Sequence, residues 1–240
     1  MPAHCYHGAM SILLVPGYMA DETLWDDVIA GLAHLEPVVH ADLRHDATIE
    51  AMARRVIADA PDAFILVGFS MGGYVAREIV RLAPVRVRAL VLIATSSRAD
   101  SPSIRQSRGT VGSASASVSF SGLSRTAIAT SLHPDQASNE ALIERVRAMG
   151  VRLGGEVFRR QSAIVRAGDR ERLGEIRCPT LVIAAGHDRL RSRAESEELQ
   201  AGIPGAELAV IEDSGHMVPI EAPAALLSLM LPWLERVTRA

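Results

Sequence analysis

Ala63-Phe64-Ile65-Leu66-Val67-Gly68-Phe69-Ser70-Met71-Gly72-Gly73 is the stretch on which the reading of this 240-residue chain turns. Its first seven residues form a continuous apolar run, suited to a central strand buried on both faces. From Met71 onward, Val75, Ile79 and Leu82 recur at helical spacing. Ser70 therefore stands at a strand-to-helix turn, inside a match to G-x-S-x-G (residues 68–72). A sharp turn there raises a serine hydroxyl above the carboxyl edge of a sheet. Glycines flank such a turn because side chains would strike the neighbouring strand and helix. The helix that follows aims backbone N–H groups and the positive end of its dipole at developing negative charge. Ser70 is the candidate nucleophile; the plain alternative is a serine that only serves the turn.

Working outward, short apolar runs alternate with helical patterns, which predicts βαβ units on a parallel sheet. Strands are expected at 11–15, 38–41, 63–69, 87–95, 180–185 and 208–211. Helices are expected at 22–35, 48–60, 71–83, about 193–201 and about 223–237, the last opening on Pro223, a residue suited to a first helical position. Between 95 and 180 the pattern changes. Residues 96–124 are rich in Ser, Arg and Gly, and the later stretches 139–149 and 156–166 read as helices. The expected organisation is an α/β core of 1–95 and 169–240 with a helical lid or cap insertion at 96–168, since long insertions in compact domains are often functional. A surface excursion is the bland alternative.

A serine nucleophile needs a base. His216, in Asp213-Ser214-Gly215-His216-Met217, follows the last expected strand and so lies at the same carboxyl edge as Ser70, where such sheets bind ligands. His187 follows the preceding strand and competes with it; His4, His7, His34, His40, His45 and His133 have no matching strand-end position. An imidazole base in turn needs a carboxylate to fix its tautomer. Asp188, in Ala185-Gly186-His187-Asp188, follows a buried strand; Asp100 is the runner-up and Asp213 the third choice, while helix capping is the structural alternative for Asp188. The chain order Ser70, Asp188, His216 matches the Ser…Asp…His order of this arrangement. An oxyanion hole needs two converging backbone donors. Met71 N–H, directly after the serine, is one candidate and Tyr18 N–H, in Pro16-Gly17-Tyr18, the other. Tyr18, Trp25, Met71 and Met217 are candidates for an apolar substrate pocket, each also compatible with core packing. Arg98, Arg105 and Arg108 are candidates to hold a substrate carboxylate, with a solvated charged surface as the alternative.

Leu14-Val15-Pro16-Gly17-Tyr18, Gly68-Phe69-Ser70-Met71-Gly72-Gly73, Cys178-Pro179-Thr180, Gly186-His187-Asp188 and Ser214-Gly215-His216 with Glu221-Ala222-Pro223 together resemble the α/β-hydrolase superfamily, close to small bacterial serine esterases and lactonases. The resemblance spans residues 14–223. It implies eight strands in many relatives, of which six parallel ones are visible here, so the first two are expected to be missing or vestigial. Two departures stand out. Relatives often carry His-Gly where this chain has Pro16-Gly17, and a longer Asp-x-Arg-Gly-His-Gly turn where Asp42-Leu43-Arg44-His45 is shortened. That turn accounts for His40, Asp42 and His45 without a metal.

Composition bounds the reading. Hydrophobic residues make up 48% and charged residues 22% of the chain, as in ordinary globular domains. Its net charge of −3 suggests neither nucleic acid nor a membrane surface as partner. All 25 basic residues are arginine. Cys5 and Cys178 form no metal-ligand spacing and no disulfide framework. No apolar run reaches the roughly 18 residues of a membrane span, and the first ten residues lack a signal-type pattern. The expectation is a cytoplasmic, cofactor-free enzyme acting on a small molecule by acyl transfer to water, with activity falling on the acid side as His216 protonates. Rival readings are a carbon–carbon hydrolase or cofactor-free lyase with the same triad, a perhydrolase, and a ligand-binding protein with an idle triad. Dehalogenase and epoxide hydrolase chemistry is disfavoured, since relatives of that kind carry Asp where this chain has Ser70.

Overall fold

Residues 11–15, the apolar run Ser-Ile-Leu-Leu-Val, alternate their side chains between two cores: Ile12 and Leu14 face one, Leu13 and Val15 the other. The same division holds for every central strand of the computed structural model, which describes residues 10–33, 35, 37–101 and 120–238. Six strands, β1 (Ser11–Val15), β2 (Val38–His40), β3 (Phe64–Phe69), β4 (Val87–Ile93), β5 (Thr180–Ala185) and β6 (Glu207–Ile211), form one sheet in the order β2-β1-β3-β4-β5-β6. All five pairings are parallel. The order reverses between β1 and β3, and parallel sheets bind ligands at the carboxyl ends beside such a switch point.

Helices cover both faces. On one lie α1 (Asp26–Ile29), α7 (Val218–Glu221) and α8 (Pro223–Thr238), with Trp25, Val28, Val218, Leu226 and Met230 buried on the sheet. On the other lie α2 (Ile49–Asp59), α3 (Met71–Leu82) and α6 (Arg193–Gly202), through Met52, Val56, Val75, Ile79 and Leu199. Expected helix 22–35 is broken up: a 3-10 turn at Glu22–Trp25, then α1, then a 3-10 turn at Ala30–Leu32. Leu24, Val28 and Leu32 keep the buried stripe that the periodicity predicts, but the hydrogen bonding changes along it. Strand β4 stops two residues before the expected end because Ala94 turns to φ 46°.

Between β4 and β5 the described residues contain no strand. They hold α4 (Arg125–Ser131), a 3-10 turn (Pro134–Gln136) and α5 (Glu140–Ser162). α5 consists of two helices that meet at Gly154, whose φ of 80° leaves the helical region, so the two expected at 139–149 and 156–166 are both present with shifted bounds. The two ends of this insertion are pinned together. Asp100 N–H donates to Arg166 O (3.0 Å) and Asp169 N–H to Ser97 O (2.9 Å). The Arg166 and Asp100 side chains, 3% and 2% exposed, pair at 2.6 Å. Asp169 is paired with Arg77 at 2.8 Å and Arg81 at 2.5 Å, which ties the insertion to α3.

Candidate active site

The turn between β3 and α3 is set by close approach. Ser70 has φ 52° and ψ −114°, a strained conformation for a residue with a side chain. A Cβ on Gly72 would collide with the carbonyl oxygens of Val15 and Pro16, and one on Gly73 would lie 2.6 Å from Thr95 Cβ. Only glycine lets β1, α3 and β4 meet there. Thr95 Oγ1 donates to Ser70 O (2.7 Å) and Ser70 N–H donates to Ile93 O (2.9 Å), which holds the strained residue from both sides.

The structure brings Ser70, His216 and Asp188 together. Ser70 Oγ lies 2.8 Å from His216 Nε2, and His216 Nδ1 lies 2.7 Å from Asp188 Oδ2. Asp188 Oδ1 accepts the N–H groups of Leu190 (2.7 Å) and Arg191 (2.9 Å), so the loop after β5 fixes the carboxylate from behind. The Phe69 ring packs against the imidazole at 5.2 Å. The insertion also clamps the loop that carries His216. His216 N–H donates to Ser131 O (2.8 Å), and Glu221 accepts from His133 N–H (2.5 Å) and Met217 N–H (3.1 Å). Burial pushes the Glu221 carboxyl above its ordinary value, against the pull of those two donors.

The loop after β1 lies beside Ser70: a Cβ on Gly17 would sit 3.2 Å from Ser70 Cβ. Met71 is the first residue of α3, where backbone N–H groups have no intrahelical acceptor. Tyr18 OH is 2.7 Å from Ser162 Oγ. Met19, at φ 52°, donates its N–H to Gln161 Oε1 (2.9 Å), and Gln161 Nε2 reaches Leu43 O (3.2 Å). Gln161 thus pins the strained loop from the end of the insertion. Its partners are over a hundred residues away, so no local pattern announces it.

A cavity of about 580 Å3 opens over Ser70 and His216. Its walls are mainly apolar and include Tyr18, Ile128, Val146, Met149 and Met217, with Arg166 and Arg191 the cationic exceptions. Met217, one of the sequence candidates, is therefore at this cavity. Trp25 is not: it is 1% exposed and packed in the core with Val28 and Leu32, a fate its apolar character leaves equally open. The competing residues go elsewhere. His187 is exposed and meets the His133 ring edge-on, Asp100 is held by Arg166, and Asp213 lines a separate depression with His133 and Glu221. Arg98 pairs with Glu198 at 2.6 Å, while Arg105 and Arg108 lie outside the described residues. Asp42 binds Arg44 (2.8 Å) and His45 (3.1 Å), and the Arg44 hydrogen bonds hold its carboxyl down at about 2, against the upward push of burial. Among the described residues no cluster of His, Cys, Asp and Glu is placed to hold a metal. Cys178 is free, and burial pushes its thiol up to about 11, which suits a core residue. No described helix is long and apolar enough to cross a membrane.

A parallel sheet with glycine-flanked Ser70 at its switch point, facing a histidine–aspartate pair, defines a hydrolase class. The chain belongs to the alpha/beta hydrolase family, whose model matches residues 12–229. RutD of Azorhizobium caulinodans, provisionally described as a carbamate hydrolase, is 30% identical over 94% of this chain and 91% of its own length. A thermophilic esterase from Thermogutta terrifontis is similar in structure, at 26% identity and TM-score 0.82, covering 95% of this chain and 90% of that one. The enol-lactonase of Burkholderia xenovorans LB400 shares the fold at 22% identity and TM-score 0.81, covering 95% and 92%. Some curated relatives are spanned only in part. This chain covers 64% of the length of the acetyltransferase component of an acetoin cleaving system from Pseudomonas putida, at 25% identity over 95% of this chain, and 10% of a polyketide synthase.

Proposed function

We propose that this protein is a serine hydrolase that cleaves a small-molecule carboxylic ester or lactone through an acyl-enzyme on Ser70. The observation that carries the reading is the chain of two short contacts, Ser70 Oγ to His216 Nε2 at 2.8 Å and His216 Nδ1 to Asp188 Oδ2 at 2.7 Å, at the floor of a mainly apolar cavity. His216 takes the Ser70 proton as Oγ attacks the ester carbonyl carbon. Asp188 keeps the proton of the imidazole on Nδ1 and stabilises the imidazolium that forms. The N–H groups of Met71 and Tyr18 are the proposed donors to the oxyanion, and losing one such donor typically costs about 10²–10³ in kcat.

His216 then gives its proton to the leaving oxygen as the carbon–oxygen bond breaks. A water, deprotonated by His216, attacks the acyl carbon; the bond from that carbon to Oγ breaks as His216 returns the proton to Ser70, and the acid is released. In a lactone the leaving oxygen stays tethered to the acyl group. The scheme needs no metal or cofactor. The insertion acts as a lid in this reading: α4 and α5 contribute Ile128, Val146 and Met149 to the cavity, and covering the site excludes water from the charged intermediates. Relatives described as esterases and a lactonase support the same reaction class.

Hydrolysis of p-nitrophenyl acetate, butyrate and octanoate by the wild type and by Ser70→Ala tests the proposal. Turnover that falls to background in Ser70→Ala is expected, and the chain-length preference sizes the pocket. Equal inactivity of both proteins would overturn the ester reading and favour carbon–carbon cleavage, lyase chemistry or ligand binding at the same site.

A further inference from the structure

Among the described residues, the cavity over Ser70 is lined by two arginines and by no carboxylate other than through their own partners outside the lining. The two arginines are not equivalent. Arg166 is tightly paired: Nε and Nη2 both donate to Asp100, with Nη2 to Oδ1 at 2.6 Å, and its guanidinium lies over the Tyr74 ring. Arg191 is held out of water at 13% side-chain exposure, yet its ion pair with Glu195 is a single 3.5 Å contact. Its Nε is buried with no hydrogen-bond partner. Glu195 meanwhile spends its Oε2 on Ser192 N–H (2.7 Å) and Ser192 Oγ–H (3.0 Å), both donated by the residue that precedes α6. A nearly buried guanidinium with so little counter-charge is costly unless a ligand shares it.

Its place in the chain gives that cost a use. Arg191 N–H donates to Asp188 Oδ1, while Asp188 Oδ2 meets His216, so the same loop carries the carboxylate of the reacting group and the under-paired cation. We infer that Arg191 is a specificity-determining anchor for a carboxylate on the substrate, and that the preferred substrates are half-esters of short dicarboxylic acids or lactones bearing a carboxylate. Guanidinium matches carboxylate in a planar, two-bond geometry that an ammonium does not reproduce. The apolar walls then hold the methylene chain between the anchored carboxylate and the ester carbonyl. This inference rests on the hydrolase reading of Ser70, and its test separates the two.

The test compares kcat/KM for monomethyl and dimethyl succinate, glutarate and adipate, pair by pair, in the wild type and in Arg191→Met and Arg191→Lys. The ratio within each pair cancels any general loss of folding or reactivity. The wild type is expected to favour the half-ester in at least one pair, and Arg191→Met to lower that ratio by about 10–100-fold, the range of a hydrogen-bonded charge contact. Arg191→Lys should keep part of the preference, and Arg236→Met, on the outer helix α8, all of it. A wild-type ratio below one in every pair, or a ratio that Arg191→Met does not change, overturns the inference while turnover of the dimethyl esters leaves the hydrolase reading standing. Should neither ester type be turned over, calorimetry with glutarate decides: binding that Arg191→Met abolishes supports the anchor, and no binding by the wild type overturns it.

Discussion

The turn at Ser70 and the insertion that faces it across the cavity are held by different forces. At the turn, position comes from shape. Gly72 and Gly73 let β1, α3 and β4 approach to van der Waals limits, and the hydrogen bonds of Thr95 and Ile93 fix a backbone that would otherwise relax. In the insertion, Ile128, Leu132, Ile143, Val146 and Met149 pack into the core, and polar contacts add a few fixed points: Asp100 with Arg166, Asp169 with Arg77 and Arg81, and Gln161 with Met19. A turn packed backbone against backbone tolerates almost no change, whereas apolar side chains that border a cavity can change size at smaller cost. The proposed reacting groups therefore lie on the turn after β3 and the loops after β5 and β6, and the insertion supplies part of the apolar wall that faces them.

Four substitutions would break or sharpen this contrast, in descending order of effect. Asp188→Asn, on the rigid side, should lower kcat by about 10⁴ with folding intact, because the imidazole is left in the wrong tautomer; steady-state kinetics beside circular dichroism checks it. Asp169→Asn cuts the insertion from α3 and leaves Arg77, 0% exposed, facing a neutral partner, at a cost of about 3–5 kcal/mol. The pH dependence carries the sign. Burial pushes the Asp169 carboxyl up, but Arg77 and Arg81 outweigh it and leave the group below its ordinary value. A carboxylate lowered in the folded state adds stability at neutral pH, and that stability is lost as pH falls below the ordinary value and through the lowered one. Urea midpoints of wild type and Asp169→Asn should therefore lie far apart at pH 7 and draw together as the solution becomes strongly acidic.

Gly72→Ala pushes a methyl group against the Val15 and Pro16 carbonyls and should cost about 1–3 kcal/mol of stability, with kcat falling alongside Tm because the loop after β1 moves with it. By contrast, Ile128→Val alters only the wall. It should change the butyrate-to-octanoate preference by a factor of about ten, the lower end of the scale of one methylene in an apolar pocket, with turnover otherwise retained.

The rigid half was also the half legible from sequence. An apolar run that ends on glycine-flanked Ser70 leaves a local signature, and residues 188 and 216 follow two further apolar runs, so the sequence places the three on one edge. The adjustable half left no such pattern. Gln161 reaches Met19 and Leu43, and Arg166 reaches Asp100, across separations of 66 to 142 residues. Outside the insertion, on the loop beside Asp188, Arg191 is likewise one arginine among twenty-five until its burial and weak pairing are seen. Trp25 shows the limit from the other side, since an apolar residue near the site fits a pocket or a core equally well and the structure puts it in the core. Glu221 left a faint trace in Glu221-Ala222-Pro223, but its bonds to the His133 and Met217 amides, which brace His216, appear only in three dimensions.

The most direct test of the central claim is to treat the protein with a fluorophosphonate and locate the adduct by peptide mass spectrometry. One phosphonyl group per chain on the peptide containing Ser70, absent in Ser70→Ala and formed far more slowly in His216→Ala, is the predicted result. No adduct on the wild type, or an adduct that survives Ser70→Ala, would contradict Ser70 as the activated nucleophile of this site.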